Sequence, residues 1–139
     1  MHAKNKRKLE NKSFGKKIIV DLDRQILYAV EGKKIVLKLD CASGDKDNPT
    51  PLGSFKIYRK HKKYVSKTYN VHMDNAMFFY KGYAIHQAHV VGVTSLLKSW
   101  GVDYFGSHGC VRLSESDVSK LFEWTPMTTK VEIKKVYTP

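Results

Sequence analysis

Cysteine is scarce in this 139-residue chain. Cys41 and Cys110 are the only two, too few for a disulfide scaffold, and the absence of any Cys-x-x-Cys pair argues against a structural zinc knuckle. Long apolar runs are missing as well: the longest, such as IIV and MFFY, are strand-length pieces, far short of the roughly 18 residues that span a bilayer. The start, MHAKNKRKLENKSFGKK, is basic but lacks the apolar segment of roughly 7 to 15 residues that a secretory signal requires. Two placements therefore stay open, the cytoplasm or export by a signal that this sequence does not carry. Acidic residues are few, 13 against 25 Lys and Arg, and the formal net charge of +12 implies attraction to a polyanion: nucleic acid, an acidic membrane surface or an anionic cell-wall polymer. No internal repeat occurs. What is present is ordinary for one globular domain with one core, 42% apolar and 27% charged residues.

Residues 1–17 carry Lys4, Lys6, Arg7, Lys8, Lys12, Lys16 and Lys17 against Glu10 alone, which reads as a flexible basic arm. From Ile18 the texture changes. IIVDL, ILYAV and IVLKL are rich in β-branched residues and separated by polar or turn-like pieces, so they predict a three-stranded meander. The stretch SGDKDNPTPLGSF at 43–55 concentrates Gly, Pro, Asp and Asn and predicts a loop, with Pro51 suited to a turn and Gly53 able to take a positive φ. RKHKKYVSKT, between Tyr58 and Tyr69, reads as a solvated loop or hairpin tip. FKIY, YNVHM, MFFY and YAIH continue the strands, the last two joined by a Lys81-Gly82 turn. Ser114 and Asp117 suggest a helix cap. Val118, Leu121, Phe122 and Thr125 share one face before Pro126 stops the helix, and Val131, Ile133 and Lys135 predict a closing strand. The fold class expected is mainly β, largely antiparallel, with one helix near the C-terminal end.

The segment Phe105-Gly106-Ser107-His108-Gly109-Cys110-Val111-Arg112-Leu113 carries the chemistry. Gly106 and Gly109 allow a sharp turn that would expose Cys110, with Gly109 leaving room for a substrate and the N–H groups of Gly109 and Cys110 placed for an oxyanion. A thiol of ordinary pKa near 8.5 needs a base or a positive neighbourhood to act as a nucleophile. Six histidines are candidates: His2, His61, His72, His86, His89 and His108. His108, two residues from Cys110, would point to the other side of an extended chain; His86 closes a strand pattern, and His89 follows it. A zinc cluster of His86, His89, His108 and Cys110 is the competing reading, though its spacing matches no zinc signature.

SHGCVRL resembles the active-site signature of the L,D-transpeptidase catalytic domain family, YkuD. YAIH is similar to that family's strand ending in Ile-His, ASGDKDNPTPLGSFKI to its Thr-Pro-x-Gly-x-Phe stretch, and IIVDLDRQILYAVEGKKIV to its opening strands, so the likeness runs over about residues 18–136. The resemblance implies a β-rich sandwich or barrel with one helix after the cysteine loop. It implies Cys110 as nucleophile on a peptidoglycan stem peptide, His86 as its base with a backbone carbonyl setting the tautomer, and oxyanion amides from Gly109 and Cys110. Ser107 and His108 would shape the loop, Arg112 would hold the loop or a substrate carboxylate, and Gln87 and His89 would lie on the substrate side. His86-Gln87-Ala88-His89 stands where the family usually has glycine after the histidine, and 24 positions separate His86 from Cys110, so the base is either His86 or His89. The insertion VVGVTSLLKSWGVDYF, residues 90–105, reads as a lid over the site or as a short packed helix.

The implied activity is transfer through a thioester, in the cell envelope, with stem peptides as partners and without metal, cofactor or nucleic acid. Hydrolysis of the same peptides, by a carboxypeptidase or endopeptidase, is the nearest alternative. A basic β domain holding nucleic acid through Lys, Arg and Tyr58, Tyr64 and Tyr69 is the alternative from another class. Cys41, following IVLKLD, is expected to be buried and inert.

Overall fold

The computed structural model describes residues 12–66, 71–88 and 109–139. The predicted meander is there: β1 (Lys16–Asp21), β2 (Ile26–Glu31) and β3 (Lys34–Asp40) pair antiparallel in chain order. β11 (Lys130–Lys134) lies against β1 and β4 (Gly53–Lys56) against β11, which completes a five-stranded sheet of order β3-β2-β1-β11-β4. A second sheet takes β5 (Arg59–His61), β8 (Ala76–Tyr80), β9 (Tyr83–Gln87) and β10 (Val111–Leu113) in the order β10-β9-β8-β5. β6 (Val65–Ser66) and β7 (Val71–His72) form a separate short pair, and α1 (Glu115–Trp124) follows β10.

Successive strand residues face opposite sides, so each sheet offers one face to a shared core. Ile18, Val20, Leu27, Ala29, Val131 and Ile133 of the larger sheet meet Met77, Phe79, Ile85, Val111 and Leu113 of the smaller one, with Val118 and Leu121 of α1. Burying each such side chain contributes about 1.5–3 kcal/mol, which makes this layer the main source of cohesion. The outer faces are covered in patches. Ile19, Tyr28 and Val30 are capped by Tyr137 on one side; Ala76, Phe78, Ala84 and Cys110 gather with Met73 and Tyr64 on the other.

Antiparallel pairing dominates as expected, but β1–β11 and β9–β10 are parallel. Parallel partners need a long connection, and so their match lies beyond local pattern. β1 also begins two residues before the apolar run: Lys17 pairs with Val30 and with Lys130, and the Lys16 ammonium donates to the Trp124 carbonyl at 2.8 Å. β4 starts inside the segment read as loop, because Gly53, at φ +142°, already pairs with Ile133.

The basic stretch after Tyr58 is solvent-exposed at Lys62 and Lys63, but its first three residues are not a solvated tip. Arg59–His61 form an edge strand, the Arg59 guanidinium lies 4.2 Å from the Phe78 ring centroid, and the Lys60 ammonium donates to the carbonyls of Phe122 and Thr125 at 2.7 and 2.5 Å. Those carbonyls end α1, whose last turn has no basic residue of its own, so a lysine from another strand serves as its cap. Burial, helped by the nearby Lys16 charge, lowers the Lys60 pKa. At the other end Ser114 is extended and its hydroxyl accepts the Asp117 N–H at 3.4 Å, as the capping pattern predicts.

Candidate active site

The pairing of β9 with β10 sets Val111 beside Ile85, Arg112 beside His86 and Leu113 beside Gln87. Ile85, Val111 and Leu113 enter the core, and period-2 alternation therefore turns His86 and Arg112 to the outer face. Cys110, one step before Val111, joins Ala84 on that same outer face. Cys110 and His86 thus stand at diagonal positions on neighbouring strands. The cysteine is buried, 7% exposed, as are His86 at 4% and Arg112 at 1%. This corrects the expectation of an exposed turn cysteine: the outer face of the sheet at Cys110 is lined by Ala84 and Phe78.

Gly109 precedes the cysteine at φ +96°, and a Cβ built there would fall 2.1 Å from the Tyr83 ring. The room left by this glycine is filled by Tyr83 and not by a substrate, which corrects a second expectation. The Gly109 carbonyl accepts the Thr50 hydroxyl at 2.7 Å, and Thr50 in turn accepts the Gly44 N–H at 2.9 Å. A Cβ on Gly44 would stand 2.0 Å from the Asn48 carbonyl and 2.7 Å from the Gly109 Cα. The Gly- and Pro-rich loop is thereby packed onto the cysteine turn, and Thr50 holds the Gly109–Cys110 peptide in one orientation. Because that peptide is planar and trans, its N–H points away from Thr50. A second tie runs through Ala42 and Arg112, which exchange both backbone hydrogen bonds at 2.9 and 2.8 Å, while the Arg112 guanidinium reaches the Ser43 carbonyl at 3.5 Å. Sequence reading singled out Arg112 but missed Thr50, Gly44 and Tyr83, whose partners lie far along the chain.

His86 Nδ1 sits 2.8 Å from the Gln87 carbonyl. A carbonyl can only accept, so Nδ1 carries the proton and Nε2 is the basic nitrogen. The Gln87 N–H donates to the Asp74 carbonyl at 2.9 Å, and the Ala88 N–H to Leu113 at 2.8 Å, which anchors the strand end that bears the histidine. Burial raises the Cys110 pKa; the Ala84 backbone hydrogen bond and the Arg112 charge act in the opposite direction. Its sulfur lies 3.9 Å from the Gly82 carbonyl. His89, Ser107 and His108, and the proposed lid at 90–105, lie outside the described residues. Among the described residues no three His, Cys, Asp or Glu side chains gather to hold a metal ion.

A two-sheet β domain with a cysteine and a histidine on one face of a parallel strand pair, and a glycine-bound turn presenting the cysteine, defines a class of cysteine-bearing β proteins. Residues 15–133 match the L,D-transpeptidase catalytic domain family, YkuD, and the chain belongs to that family. Among solved structures, it is similar to an L,D-transpeptidase from Stackebrandtia nassauensis at 28% identity and TM-score 0.75, over 92% of this chain and 63% of that one. One from Xylanimonas cellulosilytica is 30% identical with TM-score 0.71, over 88% and 61%. The L,D-transpeptidase LdtMt1, solved in complex with imipenem, shares the fold at 18% identity and TM-score 0.70, over 86% and 59%. The chain thus spans about three fifths of the length of these structures. A comparison with curated proteins finds no match.

Proposed function

We propose that the protein is a cysteine-dependent L,D-transpeptidase acting on peptidoglycan stem peptides in the cell envelope. The observation that carries this reading is the shared outer face of Cys110 and His86, held by the β9–β10 pairing within a chain of this family. The catalytic domain in this reading runs to 136 but begins before 18, because β1 starts at Lys16 and the Ser13 hydroxyl is bonded to that of Thr128, which shortens the basic arm read over 1–17.

A thiol whose pKa burial has raised is protonated at neutral pH, so the reaction needs a base at the moment of attack. His86 Nε2 takes the Cys110 proton as sulfur bonds to the carbonyl carbon between the L-centre of a diamino acid and the terminal D-alanine. The Cys110 N–H, turned away from Thr50, donates to the oxyanion. Collapse breaks the C–N bond, His86 returns the proton to the departing D-alanine amine, and a thioester remains. The side-chain amine of a second stem peptide then attacks the thioester, its proton passes to His86, and the thiol is released with the cross-link formed. Arg112, whose charge opposes the burial of the thiol, steadies the negative sulfur and ties the turn to the Ser43 loop. By likeness to the family's motif, loop shaping is assigned to Ser107 and His108, and substrate binding to Gln87 and His89.

Mass spectrometry of the intact folded protein with imipenem is the direct test: an adduct on Cys110, absent in Cys110→Ala, is expected. Incubation with tetrapeptide muropeptides should give dimers. Tripeptide without dimers would show hydrolysis instead, and no adduct on a folded protein would overturn the nucleophile.

A further inference from the structure

The outer face of the five-stranded sheet, on the far side of the core from Cys110, carries a feature that acyl transfer does not use. Strand register places Lys56 beside Lys130 and Lys130 beside Lys17, a lateral row of three ammonium groups on β4, β11 and β1. Neighbouring strands run about 4.8 Å apart, and like charges set directly side by side are destabilising. Among the described lining residues Glu132 is the single carboxylate, and it is engaged by Lys17 at 3.6 Å and Lys134 at 3.5 Å. Among the described residues no carboxylate pairs with Lys56 or Lys130.

This row lines a cleft of about 550 Å³. Lys16 also lines the cleft, but its ammonium is bonded to the Trp124 carbonyl at 2.8 Å, so the three lysines of the row face one glutamate. The segment before β1 forms one wall, tied to the turn before β11 by the Ser13 and Thr128 hydroxyls at 2.8 Å, and Phe14 stands at the rim, 87% exposed.

We propose that this cleft binds a linear phosphodiester polymer that carries no bases. The described lining residues supply ammonium cations, compact point charges that suit phosphate oxygens, and among them no guanidinium fork to match a planar carboxylate. A row of cations across three strands complements a row of anions better than a single phosphate. Phe14 is the one aromatic among the described lining residues, whereas a single-stranded nucleic acid is held by successive stacked bases. With the cleft and Cys110 on opposite outer faces, a polymer held here leaves the cysteine side free. The inference is independent of the reaction assigned to Cys110.

The test uses a labelled glycerol-phosphate oligomer titrated by fluorescence anisotropy into the full chain at several salt concentrations. Lys56→Gln/Lys130→Gln should lose at least about tenfold in affinity at low salt. Its slope of log K against log salt should fall by about 1.4, on the order of 0.7 per lost contact to a single-stranded polyanion. Lys62→Gln/Lys63→Gln, two exposed lysines of the other basic stretch, should bind within about twofold of the parent. Circular dichroism melts verify that both variants fold. Equal losses in the two double variants, or no binding by the parent, would overturn the proposal. Tighter binding of an oligothymidylate of equal charge, lost in the same cleft variant, would replace it with a nucleic-acid site.

Discussion

Cys41 and Cys110 are both buried free thiols, and their surroundings differ in sign. Cys41 lies in the core between the sheets, 1% exposed, where burial and then the carboxylates of Asp40 and Asp21 push its pKa up to about 12, with Arg112 opposing. Cys110 lies on an outer face where burial also raises the pKa, but a backbone hydrogen bond from Ala84 and the Arg112 charge pull it down. Among the described residues no carboxylate adds to the rise there. Burial is common to the two thiols; what differs is the charge and the donors facing the sulfur.

The largest effect that would sharpen this contrast is chemical. Cys110→Ala should abolish imipenem adduct formation and lower turnover by at least about 10⁴-fold, as for other removed nucleophiles, while Cys41→Ala keeps both and costs about 1 kcal/mol of stability. Adduct mass and a urea melt on each variant measure the two halves. Retained acylation in Cys110→Ala would erase the distinction.

Gly109→Ala should come next, since its Cβ would overlap the Tyr83 ring at a φ of +96°. A loss of at least about 3 kcal/mol is expected, read by thermal denaturation, with slower acylation in whatever remains folded. Thr50→Val leaves the Gly109 carbonyl and the Gly44 N–H without their shared partner and should cost about 2 kcal/mol. Thr50→Ser restores the hydroxyl and should restore the acylation rate, which a role in packing alone would not predict.

The smallest effect is one of pH. The unfolded chain releases the Cys41 proton near pH 8.5–9, whereas the folded thiol keeps it to about 12. Above pH 9 the unfolded state thus binds fewer protons, and stability falls as pH rises, by about 1.4 kcal/mol from this residue at pH 10. The fall from pH 8 to pH 10 should be shallower by that amount in Cys41→Ala, measured by urea melts at both pH values. An unchanged slope would remove the difference in sign on which the two cysteines are distinguished.

Much of this was legible in the residues. The meander, the Lys81-Gly82 turn, the Ser114 cap and the buried Val118 and Leu121 follow from short-range patterns, because alternation and capping act over a few residues. SHGCVRL with YAIH pointed to the family that the whole domain matches. The basic stretch at Arg59 and Lys60 was misleading, since charge suggested solvent while a ring and two helix-end carbonyls were the actual partners. Cys110 was misjudged as exposed for a related reason: burial belongs to the side chains brought over it, not to the residue.

The sequence by itself determined the kind of elements, the order in which they come, and the presence of a thiol at Cys110 and an imidazole at His86. The tertiary structure alone decided that these two share a face, that Thr50 locks the Gly109 carbonyl from 59 residues away, and that Lys56, Lys130 and Lys17 stand in one row. The reason is range. Local periodicity is written into neighbouring residues, whereas parallel register and loop docking depend on segments that meet only once the two sheets close over their common core.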